Sequence, residues 1–154
     1  MAVAVVKSDV SPHSGYFAFE TTRDPEDGMS AIVRCMGYYY TYADQTLSTV
    51  RCIVPPGSRV IQVAHEVHTA FASVTAMVVG DGDTANGWLE TGVISPTASS
   101  PEFVFDYDST FGVKGKLYMS GDTIDITFTG IATAGSGILW VMVISYAEAA
   151  NAEA

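Results

Sequence analysis

The chain has 154 residues, 48% of them hydrophobic and 16% charged, with 17 acids against 7 bases and a formal net charge of −10. That length fits one domain of ordinary size, and so apolar a composition excludes intrinsic disorder. The acidity excludes nucleic acid and an anionic membrane surface as partners, because both would repel it.

So small a charged fraction suggests that part of the surface is covered by other subunits. The longest apolar run, residues 137–144, is far short of the ~20 residues a membrane span needs. No basic segment precedes an apolar one near Met1, so a soluble chain made in the cytoplasm is expected.

Residues 1–30 read as an extended N-terminal arm. Ala2 to Val6 suits a short strand, breakers follow, and Tyr16, Phe17 and Phe19 form one aromatic anchor. The arm either docks on a partner or folds back as a strand on its own domain. From Ala31 an apolar run leads to Tyr38, Tyr39, Tyr40 and Tyr42. On a strand Tyr38, Tyr40 and Tyr42 share a face opposite Tyr39. Such a row suits a half-buried sheet, and also a sugar platform or protein interface. In the next strand Val50, Cys52 and Val54 alternate with Thr49, Arg51 and Ile53, and Pro55-Pro56-Gly57 ends it.

A long strand is expected from Arg59. Ile61, Val63, His65, Val67, Thr69 and Phe71 line one face. Val60, Gln62, Ala64, Glu66, His68 and Ala70 line the other. A second strand covers residues 74–79. The loop GDGDTANG (80–87) turns the chain, with Asn86-Gly87 expected to supply positive φ. A third strand is expected over 88–94.

Phe103, Phe105 and Tyr107 then share a strand face opposite Val104 and Asp106. Residues 114–119 and 123–129 are further strands, with Ile124, Ile126 and Phe128 inside. Residues 130–137 read as a flexible link. Residues 138–146 are apolar on both faces, which marks a central strand or a contact with another chain. The Ala-rich tail is 147–154. No segment keeps a helical period. Eight or nine short strands with Gly, Pro and Asp turns mean an all-β, antiparallel β-sandwich or jelly roll over residues 31–146.

Chemistry-bearing clusters are few. His65 and His68 flank Glu66, but positions three apart on a strand point to opposite faces, so no shared metal is expected. Asp81, Asp83 and Asn86 resemble part of a calcium loop, yet residue 85 is Ala and Glu90 is misplaced for a bidentate ligand. Asp106 with Asp108, and Asp122 with Asp125, are paired carboxylates. The first pair would lie ~7 Å apart on a strand, the separation glycosidases use, but nothing suggests a pocket. No nucleophile elbow, P-loop, dinucleotide fingerprint or zinc spacing occurs. The reading is of no enzyme, no catalytic residue, no metal and no cofactor. Cys35 and Cys52 are expected as buried free thiols, with a cross-strand disulfide still open.

Residues 67–94 carry one signature. Val67, Thr69, Ala70 and Phe71, then Val79-Gly80-Asp81-Gly82, then Gly87-Trp88-Leu89, resemble a pattern in small β-structured virion proteins of tailed bacteriophages. The nearest family is the capsid decoration, or cement, proteins. The resemblance covers about a fifth of the chain. It implies a homotrimer on the outer surface of an expanded icosahedral shell, with the major capsid protein as partner and the virion as location. The tyrosine row and residues 138–146 would then be the trimer seam. A carbohydrate- or receptor-binding jelly-roll module of a head fibre, or a tail component, is the competing expectation.

Overall fold

The computed structural model describes residues 4–6, 14–21, 31–98 and 101–146. The expected tail over 147–154 lies outside the described residues, as do parts of the expected arm.

Ten strands occur among the described residues: β1 (Ala4–Val6), β2 (Ser14–Thr21), β3 (Ala31–Thr41), β4 (Thr49–Val54), β5 (Ser58–Ala72), β6 (Ala76–Gly80), β7 (Glu102–Phe105), β8 (Lys116–Tyr118), β9 (Asp122–Thr129) and β10 (Ala134–Tyr146). They form two antiparallel sheets. The large one runs β1-β2-β3-β10-β5-β7, with β8 also paired to β5; the small one runs β4-β9-β6. The chain is thus an all-β sandwich.

Alternation decides which face of each strand meets the other sheet. In β4, Val50, Cys52 and Val54 are buried while Arg51 and Ile53 are exposed. In β9, Ile124, Ile126 and Phe128 are buried. Each such aliphatic side chain contributes roughly 1.5–3 kcal/mol relative to exposure. Opposite them lie Leu139, Val141 and Val143 of β10. β10 is central in its sheet, between β3 and β5, as its two apolar faces suggest. It begins at Ala134, so half of the expected 130–137 link is strand.

β5 departs from simple parity. Met142 pairs with Gln62, but Val143 pairs with Val60, leaving Ile61 as an extra residue. A one-residue bulge moves every side chain beyond it to the other face. Val60 is therefore fully buried and Ile61 only half-buried, the reverse of the expectation. The strand expected over 88–94 is also absent. Leu89 forms one isolated bridge to Val79, and residues 91–94 turn away. Trp88 and Leu89 are buried all the same, closing one end of the sandwich.

At the other end an aromatic group joins the sheets. Tyr40 stacks on Phe71 at 5.8 Å between ring centroids, and Phe128 of the small sheet meets Phe71 at 5.4 Å. The tyrosine row is thereby divided. Tyr40 is in the core, Tyr38 donates to the Ile53 carbonyl at 2.6 Å, and Tyr42 leaves the strand in a 3₁₀ turn.

Candidate functional site

The two histidines separate as strand parity requires. His65 is completely buried, whereas the His68 side chain is exposed, with Nδ1 3.9 Å from Glu66. His65 Nε2 shares a hydrogen bond with the Tyr40 hydroxyl. Tyr40 reaches it across β10 at Gly137, where a Cβ would lie only 2.9 Å from that hydroxyl. A side chain two strands away, not backbone, is thus the partner of His65 Nε2. Nδ1 has no hydrogen-bond partner among the described residues. Burial lowers the His65 pKa to about 3, so the ring is neutral. Burial, then the nearby Cys52, raises that of Tyr40 well above its ordinary value.

The acidic loop is built around one carboxylate. Asp81 Oδ1 accepts from the backbone N–H groups of Asp83 and Thr84, both at 3.0 Å. Its Oδ2 accepts from Lys116 Nζ at 2.7 Å and the Tyr118 hydroxyl at 2.8 Å. Tyr118 accepts in turn from Trp88 Nε1 at 3.1 Å. Lys116 also reaches Asp83 at 3.1 Å and lies 4.7 Å from the Phe111 ring centroid. Burial alone would push the Asp81 pKa up; the hydrogen bonds from Lys116, Tyr118 and Thr84 and the Lys116 charge outweigh it and leave it lowered. All four lone-pair directions of this carboxylate are taken. The Lys116 ammonium thus stands where the calcium-like spacing would have put a cation.

The turn itself differs from expectation. Neither Asn86 nor Gly87 has a positive φ. Asp81 shapes the loop through its own Asx-type bonds. Gly87 is there for space, since a Cβ would run into the Phe111 ring. Lys116 was missed from sequence. The signal was present: in 116–118 it shares a face with Tyr118, and an inward lysine demands an acid.

The carboxylate pairs do not form catalytic geometry. β7 ends at Phe105, so Asp106 and Asp108 are turn residues rather than one strand face. Asp106 accepts from the Asp108 N–H at 3.1 Å. Asp122 accepts from the Thr123 N–H, and Asp125 lies 3.8 Å from Arg51. Among the described residues no three His, Cys, Asp or Glu side chains converge as metal ligands, and no helix is long and apolar enough to cross a membrane. Both cysteines are free. Burial, then Asp125, raises the Cys52 pKa to about 12. Cys35 is only half-buried.

A further surface feature is the outer face of the large sheet. Cross-strand register puts Trp140 between Gly37 and Ala64, and Met142 between Cys35 and Gln62. Ile138 and Ile144 flank them on β10. The Trp140 ring lies on Gly37, where a Cβ would approach it to 2.8 Å, and its Nε1 donates to Glu66 at 3.4 Å. Phe103 and Phe105 pair with Glu66 and Ala64 on this face. Their rings continue into Tyr107, 4.5 Å from Phe105 between centroids.

This fold is shared with a solved capsid component. A chain of the cyanophage Pam1 capsid asymmetric unit superposes with a TM-score of 0.51 at 19% identity, covering 77% of this chain and 86% of that one. No family model matches the chain. No curated protein matches it either. The two coverages make the Pam1 chain similar in length to this one, so the likeness spans most of both chains rather than a fragment. At this identity the likeness is one of fold.

Proposed function

We propose that the chain is a non-enzymatic structural protein of a phage virion, binding and stabilising the outer surface of the capsid as a decoration protein. The observation that carries this reading is the shared sandwich fold with a capsid chain of similar length. The 67–94 signature supports it independently. The tyrosine row that suggested a sugar platform is broken up, with only Tyr39 and Tyr42 exposed. Tyr40 and Trp88 are buried in the core, and both acids of the loop, Asp81 and Asp83, are engaged by Lys116. The decoration reading is therefore preferred to the carbohydrate- or receptor-binding module.

In this role the partner is the major capsid protein and the location is the virion surface. A ligand that binds only the expanded shell stabilises it by mass action, and linked copies add avidity. The resemblance implies three copies. Residues 1–30, whose strands β1 and β2 extend the edge of the large sheet, are the proposed shell contact, with 31–146 the rest of the sandwich and 147–154 a tail. The test is co-sedimentation with empty shells. Binding to expanded shells, with none to unexpanded ones or to a glycan array, is the expected result. Deleting residues 2–15, which removes the edge strand β1 and the first residues of β2, should weaken binding while the remaining sandwich still unfolds cooperatively. Glycan binding without shell binding would overturn the assignment.

A further inference from the structure

We propose that the outer face of the large sheet is a seam on which a second copy of this chain docks, with the strands of the two copies antiparallel about a two-fold axis. The inference goes beyond the decoration reading, and it sets pairs where the resemblance implies threes.

The first argument is the chemistry of the face. Ile138, Trp140, Met142 and Ile144 of β10 are all half-buried on the side away from the core. Phe103 beside them is 57% exposed. Three neighbouring strands, β3, β10 and β5, at ~4.8 Å spacing, each showing about seven residues at ~3.3 Å, with the 4 residues of β7 beside them, give a footprint of roughly 400 Å² in projection. That is about half of the ~800 Å² that each partner of a standard stable complex buries, so a modest pair formed at micromolar concentration is the expectation. Nothing among the described residues covers the face, and a patch of that size is on the scale of the largest on a typical monomer, which is often functional.

The second argument is charge, and it selects the occupant. The chain carries −10, so two copies repel unless they meet where charge is balanced. On this face β5 presents Arg59, Gln62, Ala64 and Glu66, opposite Ile144, Met142, Trp140 and Ile138 of β10. One base stands at one end of the row and one acid at the other. A second copy laid antiparallel places Arg59 of each against Glu66 of the other, the self-complementarity a two-fold contact requires. A parallel copy would set like against like. The same axis crosses between Trp140 and Met142 on β10, level with a point between Ala64 and Gln62 on β5, and brings Trp140 of one copy toward Met142 of the other.

Native mass spectrometry and sedimentation of the full chain at micromolar concentration test the seam. The expected mass is twice that of the chain. Phe103→Arg, at an exposed position the fold tolerates, should weaken the pair roughly 10-fold or more. Arg59→Glu and Glu66→Arg should each weaken it, and the double reversal should pair more tightly than Glu66→Arg alone. Circular dichroism on each variant separates dissociation from unfolding. A monomer, a trimer, or a pair that Phe103→Arg leaves unaltered would overturn the proposal. So would a monomer whose Cys35, on the same face, is shielded from alkylation only on shells, which would assign the face to the shell instead.

Discussion

His65 couples the stability of the fold to pH. Its pKa is about 3 in the fold, against ~6.5 in an unfolded chain. The unfolded state therefore takes up a proton that the native state refuses. Stability from this group is complete above pH ~6.5 and is lost as pH falls toward 3, at up to about 1.4 kcal/mol per pH unit. Asp81 acts in a lower window. Its pKa is lowered from 3.8, so its contribution persists above that value and fades only below it. Between pH 6.5 and 4.5 the slope belongs mainly to His65. Urea midpoints across that range should fall for the natural chain and stay nearly flat for His65→Leu; equal slopes would refute the assignment. Tyr40 alone could not have been read as the partner, because it lies two strands away and reaches His65 only across Gly137.

Two glycines of one loop give a sharper residue test. A Cβ on Gly80 would collide with the Thr84 and Ala85 backbone, whereas one on Gly82 meets nothing within 4 Å. The Thr84 carbonyl is held by the N–H groups of Asp81 and Gly87 and cannot give way. Gly80→Ala should therefore cost about 3 kcal/mol or more. Gly82→Ala should be neutral or stabilise by about 0.5 kcal/mol through the unfolded chain. Thermal denaturation of the two variants side by side checks the contrast.

At the scale of elements, the strands with one face in the core and one in water were legible. β4 and β9 place the side chains that alternation assigns inward. β10 was legible for the converse reason, being apolar throughout and central. What was not legible depends on pairing. The Ile61 bulge is defined only by the register with β10. Residues 88–94 look like a strand because Trp88 and Leu89 are core residues, yet burial there comes from a loop folding over the sandwich end. The Asp81 cluster was hidden because Lys116 is 35 residues away in the chain.

The turn into β4 carries an element-scale prediction. Thr46 and Thr49 exchange both backbone hydrogen bonds around Leu47 and Ser48, whose φ values are 49° and 63°. Left-handed backbone at two side-chain-bearing residues costs about 1–2 kcal/mol each, and Leu47 is 92% exposed, so packing does not compensate. Replacing the pair by Asn-Gly, the favoured sequence for this turn, should stabilise the fold by about 1–2 kcal/mol in chemical denaturation.

For the whole molecule the question is how the two proposed interfaces, one with a shell and one with a second copy, coexist on one acidic sandwich. The outer-face seam is charge-balanced, one base against one acid, and its ion pair would be partly buried between apolar side chains. The remaining surface holds nearly all of the −10. An approach to a shell is thus governed by long-range charge, which salt screens with a Debye length of ~8 Å at physiological strength and ~3 Å at 1 M. Pairing is governed by apolar contact, which salt does not screen. Raising NaCl from dilute buffer to roughly 1 M should therefore change the association rate with shells by an order of magnitude or more, while the native mass stays that of a pair. Stopped-flow mixing with expanded shells reads the first quantity and sedimentation the second. A pair that falls apart in high salt would show that charge, and not the Trp140 face, holds the copies together.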